Sequence, residues 1–419
     1  MIDNAVFLEL ESEVRSYCRA FPAVFVRAKG SMIYDEEGRE YIDFLAGAGA
    51  LNFGHNHPHI QLRVIDYLRS DGLVHGLDFH TTAKRDFLHA FNETLLRPRG
   101  LHYKFQFCNP SGASAVEAAL ALARKIKRRA GVFAFMGGFH GVTMGSASVT
   151  GNRVHREAVG LPLSGVTFMP YPHGFMGSFD SIDYLETVLA DVNSGIEKPA
   201  AMIFETVQSE GGVIVAPTEW LQRLRALCDR HDILLICDDI QAGCGRTGSY
   251  FSFERAGIVP DMVLMSKSVS GLGLPIAFVL LKPECDQWAP AEHIGTFRGH
   301  QLAFVGGTAA LELWSQLGLE HEVKRKETWV RHYLNTQVLP LDSRLQGRGL
   351  GLLWGVDCSA LLDETLTKRV ARWCFEHGLI IERAGRNDQV LKLLPPLTID
   401  DQTLAAGCEI LRQGLVACL

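Results

Sequence analysis

Between residues 100 and 285 the chain alternates short, nearly unbroken apolar runs with longer amphipathic stretches. "YKFQFCN" leads into "SGASAVEAALALARKIKRRAG" and then "GVFAFMG"; later come "AAMIFETV", the helix-periodic "EWLQRLRALCDRHD", "ILLICDDI", "DMVLMSK" and "IAFVLLK". Apolar runs this short read as strands buried on both faces, and the helical stretches between them supply the covering layers. The pattern predicts an α/β fold built on a mostly parallel sheet. In such a sheet the loops beyond the carboxyl ends of the strands gather in one crevice. Polar residues at these strand ends are therefore expected to meet, however far apart they lie in sequence.

The flanks read differently. "VFVRAKGSMIYDEEGREYIDFL" places "DEEG" between two strand-like runs, which predicts a hairpin. Near the other end, "GLLWGVD", the helical "TKRVARWCFEHG", "LIIERAG" and "VLKLLPPLTI" form a smaller α+β pattern. With 419 residues and no repeat or Pro/Ser-rich linker, the expected division is a large domain over 76–324. A small domain would be assembled from 1–75 and 325–419.

Charge and cysteine content narrow the classes of function. Lys and Arg number 41 against 47 Asp and Glu, a net charge of −6, which leaves no field of one sign to hold nucleic acid or an anionic membrane. The basic run "RKIKRR" at 124–129 falls at the end of a helical pattern, where cations complement the helix dipole. No run reaches membrane-spanning length, and the acidic start lacks the marks of a signal peptide. The ten cysteines are scattered without a C-x-x-C pair, which suits reduced thiols and a cytoplasmic location. The alternating histidines of "GHNHPHI" have no carboxylate or cysteine cluster beside them, so no metal site is expected.

Four strand-end features carry chemistry. Lys267 follows "DMVLMS" and precedes a Gly-rich turn; an ammonium at the mouth of a buried sheet is desolvated, and the neutral amine can attack a carbonyl. Ser111, Gly112 and Ala113 open a helix with small residues whose free N–H groups suit a phosphate. Asp238 and Asp239 end a strongly apolar strand, where a carboxylate is costly unless it meets a cation or donor. Beneath a pyridine nitrogen, Asp238 would keep that nitrogen protonated, with Ile240 on one ring face and Gln241 at the phenolic oxygen. Phe139, flanked by glycines in "GGFHG", could cover the other face. Lysine and phosphate cradle together suggest a phosphorylated aldehyde cofactor.

Over nearly its whole length the chain resembles the class III, ω-amino-acid type aminotransferases that depend on pyridoxal 5′-phosphate. The motifs "GHNHP", "SGASAVEAALALAR", "FHG", "ETVQSEGG", "DDIQAGCGRTG", "PDMVLMSKSVSG" and "GTFRG" stand in that family's order. The resemblance implies the PLP-dependent transferase fold type I, with a seven-stranded sheet. It implies Lys267 as the amine that condenses with the cofactor aldehyde, and Ser111, Gly112 and Ala113 as the phosphate cradle. Phe139 would stack on the ring with His140 supporting its loop, Asp238 would partner the pyridine nitrogen and Gln241 would bind O3′. Glu205 would lie near the substrate, and Thr296 would reach the phosphate of a neighbouring subunit. A site shared in that way implies a homodimer or higher homo-oligomer.

Within the family, "RSYCRAFP", "YIDFLAGAGALNFGHNHP", "HGLDFH" and "FSFERAGIVPDMVLMSKSVSGLGLP" resemble the branch acting on 2,4-diaminobutyrate and 2-oxoglutarate, which serves ectoine synthesis and also siderophore or peptide pathways. Several positions depart from the family pattern: Ser114 for a usual glutamate, Ser209 for a usual glycine, and "RGHQLAF" after Thr296. Lys392 stands where many relatives carry the arginine that grips a substrate carboxylate. A lysine there lacks the bidentate fork, so weaker carboxylate recognition, or recognition shared with another cation, is expected.

Overall fold

The computed structural model describes residues 5–172 and 179–419. Its main strands are β1 (Phe25–Lys29), β2 (Met32–Asp35), β3 (Glu40–Asp43), β4 (Lys104–Phe107), β5 (Val132–Phe135), β6 (Val166–Met169), β7 (Ala201–Phe204) and β8 (Leu234–Asp238). They are followed by β9 (Met262–Met265), β10 (Phe278–Leu281), β11 (Gln346–Leu350), β12 (Leu353–Asp357), β13 (Leu379–Ile380), β14 (Glu382–Ala384) and β15 (Val390–Leu393). Seven of them form one sheet in the order β4-β10-β9-β8-β7-β5-β6. Only β10 runs against its neighbours, β9 and β4; the other pairings are parallel.

Strands β5, β7, β8, β9 and β10 are buried at every position. Layers on both faces remove the polar side of each strand, so these segments read as continuous apolar runs. The edge strand β6, "VTFM", is only partly buried, and the apolar-run criterion passes over it. The helix Gly112–Lys127 lays Ala115, Val116, Ala119, Leu122 and Ala123 on the sheet, against Ile236, Leu264 and Val279. Small alanines let helix and sheet approach closely. The basic run at its end is internally paired: Lys125 with Glu292, and Lys127 and Arg129 with Asp232.

The "DEEG" turn joins β2 to β3, with Asp35 Oδ1 accepting from the Glu37 and Arg39 amides at 3.0 and 2.8 Å. The expected hairpin is thus present, and β1 extends it antiparallel to β2. Strand β13, from the far end of the chain, pairs in parallel with β3. The other small sheet runs β11-β12-β15-β14. Its inner strand β15 carries Lys392, which is why that side chain is fully buried. All ten cysteines are unpaired. Among the described residues no helix is long and apolar enough to cross a membrane.

Candidate active site

The carboxyl ends of β5, β7, β8 and β9 open on one edge of the large sheet. Strand β5 leads into Gly137–Gly141, β7 into Glu205, β8 ends in Asp238, and β9 runs through Ser266 into Lys267. Strands β8 and β9 are parallel neighbours with Asp238 opposite Leu264, so Asp238 and Lys267, three residues beyond Leu264, emerge at the same edge of the sheet.

Lys267 opens a short 3-10 turn in the left-handed region, φ 47°, a conformation that a side chain with a Cβ adopts at a cost. Its Nζ donates to the Ala48 carbonyl at 2.8 Å. Burial holds its ammonium below the ordinary lysine value; Glu210 opposes that effect and Lys392 reinforces it. An amine that sheds its proton easily is a competent nucleophile and base.

Asp238, 5% exposed, places Oδ2 2.7 Å from Nδ1 of the buried His140. The imidazole thus anchors the carboxylate directly, a role that the "FHG" motif by itself did not disclose. Glu205 Oε2 accepts from the Phe139 amide at 3.1 Å, which fixes the loop carrying Phe139 and His140. Burial first, then the charge of Asp238, push the Glu205 carboxyl well above its usual range. The half-buried Phe139 ring meets His155 edge-on, with centroids 5.5 Å apart.

The helix at 112 begins with Ser111, whose hydroxyl does not cap it. The first amides of the helix, those of Gly112 and Ala113, are therefore not claimed by the cap residue. A methyl group on Gly112 would stand 2.9 Å from Ile240 Cδ1, so the glycine keeps the helix start close to the tip of Ile240. Gln241 donates from Nε2 to the Ala48 carbonyl at 2.8 Å and to Glu210 Oε1 at 3.1 Å. Its Oε1 is buried without a partner among the described residues, an orphaned acceptor on a side chain that shares the Ala48 carbonyl with Lys267.

These features fit pyridoxal 5′-phosphate. Uncapped amides would hold its phosphate, Asp238 its ring nitrogen, Ile240 and Phe139 its faces, Gln241 its phenolic oxygen and Lys267 its aldehyde. Thr296 lies apart from this group, on an exposed loop between the exposed Ile294 and Phe297. Its neighbour Gly295 packs against Asn109, just before the helix start.

Lys392 departs from its expected role. Its fully buried Nζ lies 2.6 Å from Glu210 Oε1 and 2.8 Å from Glu382 Oε2, so two carboxylates of the chain already occupy the cation. Burial works against its charge, yet Glu210 and Glu382 outweigh it and hold the ammonium above the ordinary lysine value. Glu210, Glu382 and the Ala48 carbonyl escaped the motif reading. Glu210 alone carried a signal, an acid in the glycine-rich turn "SEGG". The histidines of "GHNHPHI" go separate ways: His55 pairs with Asp43 at 2.8 Å and His59 with Glu312 at 2.7 Å.

The large sheet and the strand-end lysine beside an anchored aspartate define an enzyme of the PLP-dependent transferase fold type I. The chain belongs to the class III aminotransferases, whose family model matches residues 15–415. It is 52% identical over 413 residues to an uncharacterised aminotransferase of Sinorhizobium fredii, covering 98% of this chain and 92% of that one. It is 51% identical over 420 residues to the diaminobutyrate–2-oxoglutarate transaminase of Bordetella parapertussis, covering 100% and 96%. The crystal structure of ornithine aminotransferase from Toxoplasma gondii superposes with a TM-score of 0.87 at 26% identity, covering 99% of this chain and 94% of that one.

Proposed function

We propose that this aminotransferase uses pyridoxal 5′-phosphate to move an amino group between two substrate pairs, L-glutamate with 2-oxoglutarate and L-2,4-diaminobutyrate with L-aspartate 4-semialdehyde. The observation that carries the reading is 51% identity along the whole chain to a relative named for that reaction, joined to a depressed, buried lysine amine at the strand edge.

When bound, the cofactor supplies an aldehyde and an electron-withdrawing ring that weakens the donor's Cα–H bond. Lys267 Nζ, whose proton burial loosens, takes the proton from that carbon and returns it on the other side of the transfer. The Asp238 carboxylate, oriented by His140, holds a proton on the ring nitrogen. Glu205 keeps the Phe139 loop in place, and the amides of Gly112 and Ala113 receive the phosphate. Glutamate leaves as 2-oxoglutarate, and the semialdehyde accepts the amino group.

Thr296, flanked by exposed Ile294 and Phe297, supports a homodimer in which this loop contacts the neighbouring subunit. Ten unpaired cysteines support a cytoplasmic location. A half-reaction screen tests the chemistry: single amino donors are mixed with the cofactor-loaded protein, and the cofactor absorbance is followed. Glutamate and 2,4-diaminobutyrate should change it fastest, with turnover requiring a separate keto-acid acceptor. Indifference to both donors sinks the substrate assignment.

A further inference from the structure

Four consecutive residues beside the reactive amine, Ala46 (φ 47°), Gly47 (59°), Ala48 (54°) and Gly49 (86°), lie in the left-handed region. Two of them are alanines, which sit there only at a cost, and strain of this kind persists where neighbouring contacts over-determine it. The contacts here form a buried chain. Asp43 Oδ1 accepts from the Leu45 and Ala46 amides, both at 2.8 Å, and fixes the entry to the turn. At its exit, Ser268 Oγ donates to the Gly49 carbonyl at 2.7 Å and accepts from the Asn52 amide at 3.0 Å. Asn52 donates from Nδ2 to the Cys244 carbonyl at 2.9 Å, and its Oδ1 accepts from Arg246 at 2.5 Å. Arg246 is fully buried and has no carboxylate partner among the described residues; its remaining bonds reach the carbonyls of Leu352, at 3.0 Å, and Pro395. The chain thus runs from the C-terminal part of the protein to the residue after Lys267.

What the strained turn presents is one carbonyl. Ala48 O accepts from Lys267 Nζ and from Gln241 Nε2, both at 2.8 Å, so a single acceptor sets two groups that meet the cofactor. We propose that Ser268 and Asn52 are positioning residues, which hold the Ala46–Gly49 turn so that the Ala48 carbonyl docks the Lys267 amine whenever that amine is not joined to the cofactor. The inference rests on the transaminase reading above, in which Lys267 condenses with the cofactor aldehyde. An undocked lysine swings on a flexible four-carbon stem, and a misplacement of about 1 Å can slow a reaction by about a hundredfold. A carbonyl accepts an N–H without bringing a full charge, so it fixes the amine while pulling on its proton less than a carboxylate would.

The experiment mixes cofactor-free protein with pyridoxal 5′-phosphate and follows the absorbance change as Lys267 Nζ bonds the aldehyde carbon and water leaves. Ser268→Ala removes the hydroxyl that holds the Gly49 carbonyl, and it should slow this condensation at least fivefold. In the cofactor-loaded variant kcat should fall by a similar factor while KM for glutamate stays within twofold, because the docking carbonyl touches the amine. Gly47→Ala disturbs the same turn from its exposed side, where an added methyl group would stand 3.2 Å from Leu51 Cδ1; it should slow condensation by a smaller factor, and it serves should Ser268→Ala fold poorly. Ser181→Ala is the control: it removes a comparably buried hydroxyl, bonded to Trp220 at 2.8 Å, and should leave the rate unchanged. Unchanged condensation in both turn variants, equal slowing by Ser181→Ala, or a loss confined to KM overturns this inference and leaves the transaminase reading standing. A wild type that does not condense with the aldehyde overturns that reading, and this inference with it.

Discussion

Replacing Lys392 with methionine keeps most of the side-chain volume on β15 and deletes the charge. At neutral pH this strands Glu210 and Glu382, and losing one partner of a buried ion pair costs about 3–5 kcal/mol. Titration gives a consistent size. Glu210 is held down from 4.5 to about 2, because Lys392 and then Lys267 outweigh the opposing effect of burial. By linkage that depression stabilises the folded enzyme by about 3 kcal/mol near neutrality. Because the folded value is the lower one, this stability is fully present above about 4.5 and is lost as pH falls toward about 2. The penalty for Lys392→Met should therefore be largest near neutral pH and shrink on acidification, as the stranded carboxylates take up protons. For a chain of this length the unfolding entropy is about 0.9 kcal/mol/K, so the melting midpoint should drop by about 4 °C at neutral pH. The assay is thermal unfolding followed by circular dichroism, with wild type and variant paired from neutral pH down to the acid limit of solubility. A midpoint within about 1 °C of wild type at neutral pH, or a gap that does not narrow on acidification, refutes the argument that Lys392 neutralises these two acids.

Lys267→Ala should abolish transamination while leaving the circular dichroism spectrum native; full turnover in that variant would remove the amine from the chemistry. Gly112→Ala should weaken pyridoxal phosphate binding by about tenfold or more, with little change in melting midpoint. The added methyl group meets the flexible tip of Ile240 rather than backbone, and unchanged affinity by equilibrium titration would mean that the helix start holds no phosphate. Burial pushes the Asp239 carboxyl up to about 7. The folded enzyme therefore keeps a proton that the unfolded chain gives up near 3.8, and stability from this group declines as pH rises through that window. Asp239→Asn should flatten that decline and melt above wild type at pH values beyond 7; a variant that follows the wild-type profile counts against the assignment.

How much of the site could be read in advance depended on whether its residues belong to local patterns. Lys267, Asp238 and the Ser111–Ala113 helix start stand at the ends of apolar runs, where the break in pattern itself marks them. His140 was visible as part of "FHG", but its contact with Asp238 spans 98 positions, and nothing local encodes it. Lys392 shows the same limit in reverse. Its place in "VLKLLPPLTI" suggested a cation open to substrate, while the fold puts β15 inside a sheet and closes Glu210 and Glu382 around it.

The sequence by itself determined the α/β architecture and the run of strand-end motifs, because hydrophobic period and small-residue helix starts are properties of neighbouring residues. Tertiary structure decided the charge balance next to Lys267, through Glu210, Glu382 and Lys392. Glu210 lies more than 170 positions from the other two, and Coulomb energy depends on separation in space, which no local pattern records.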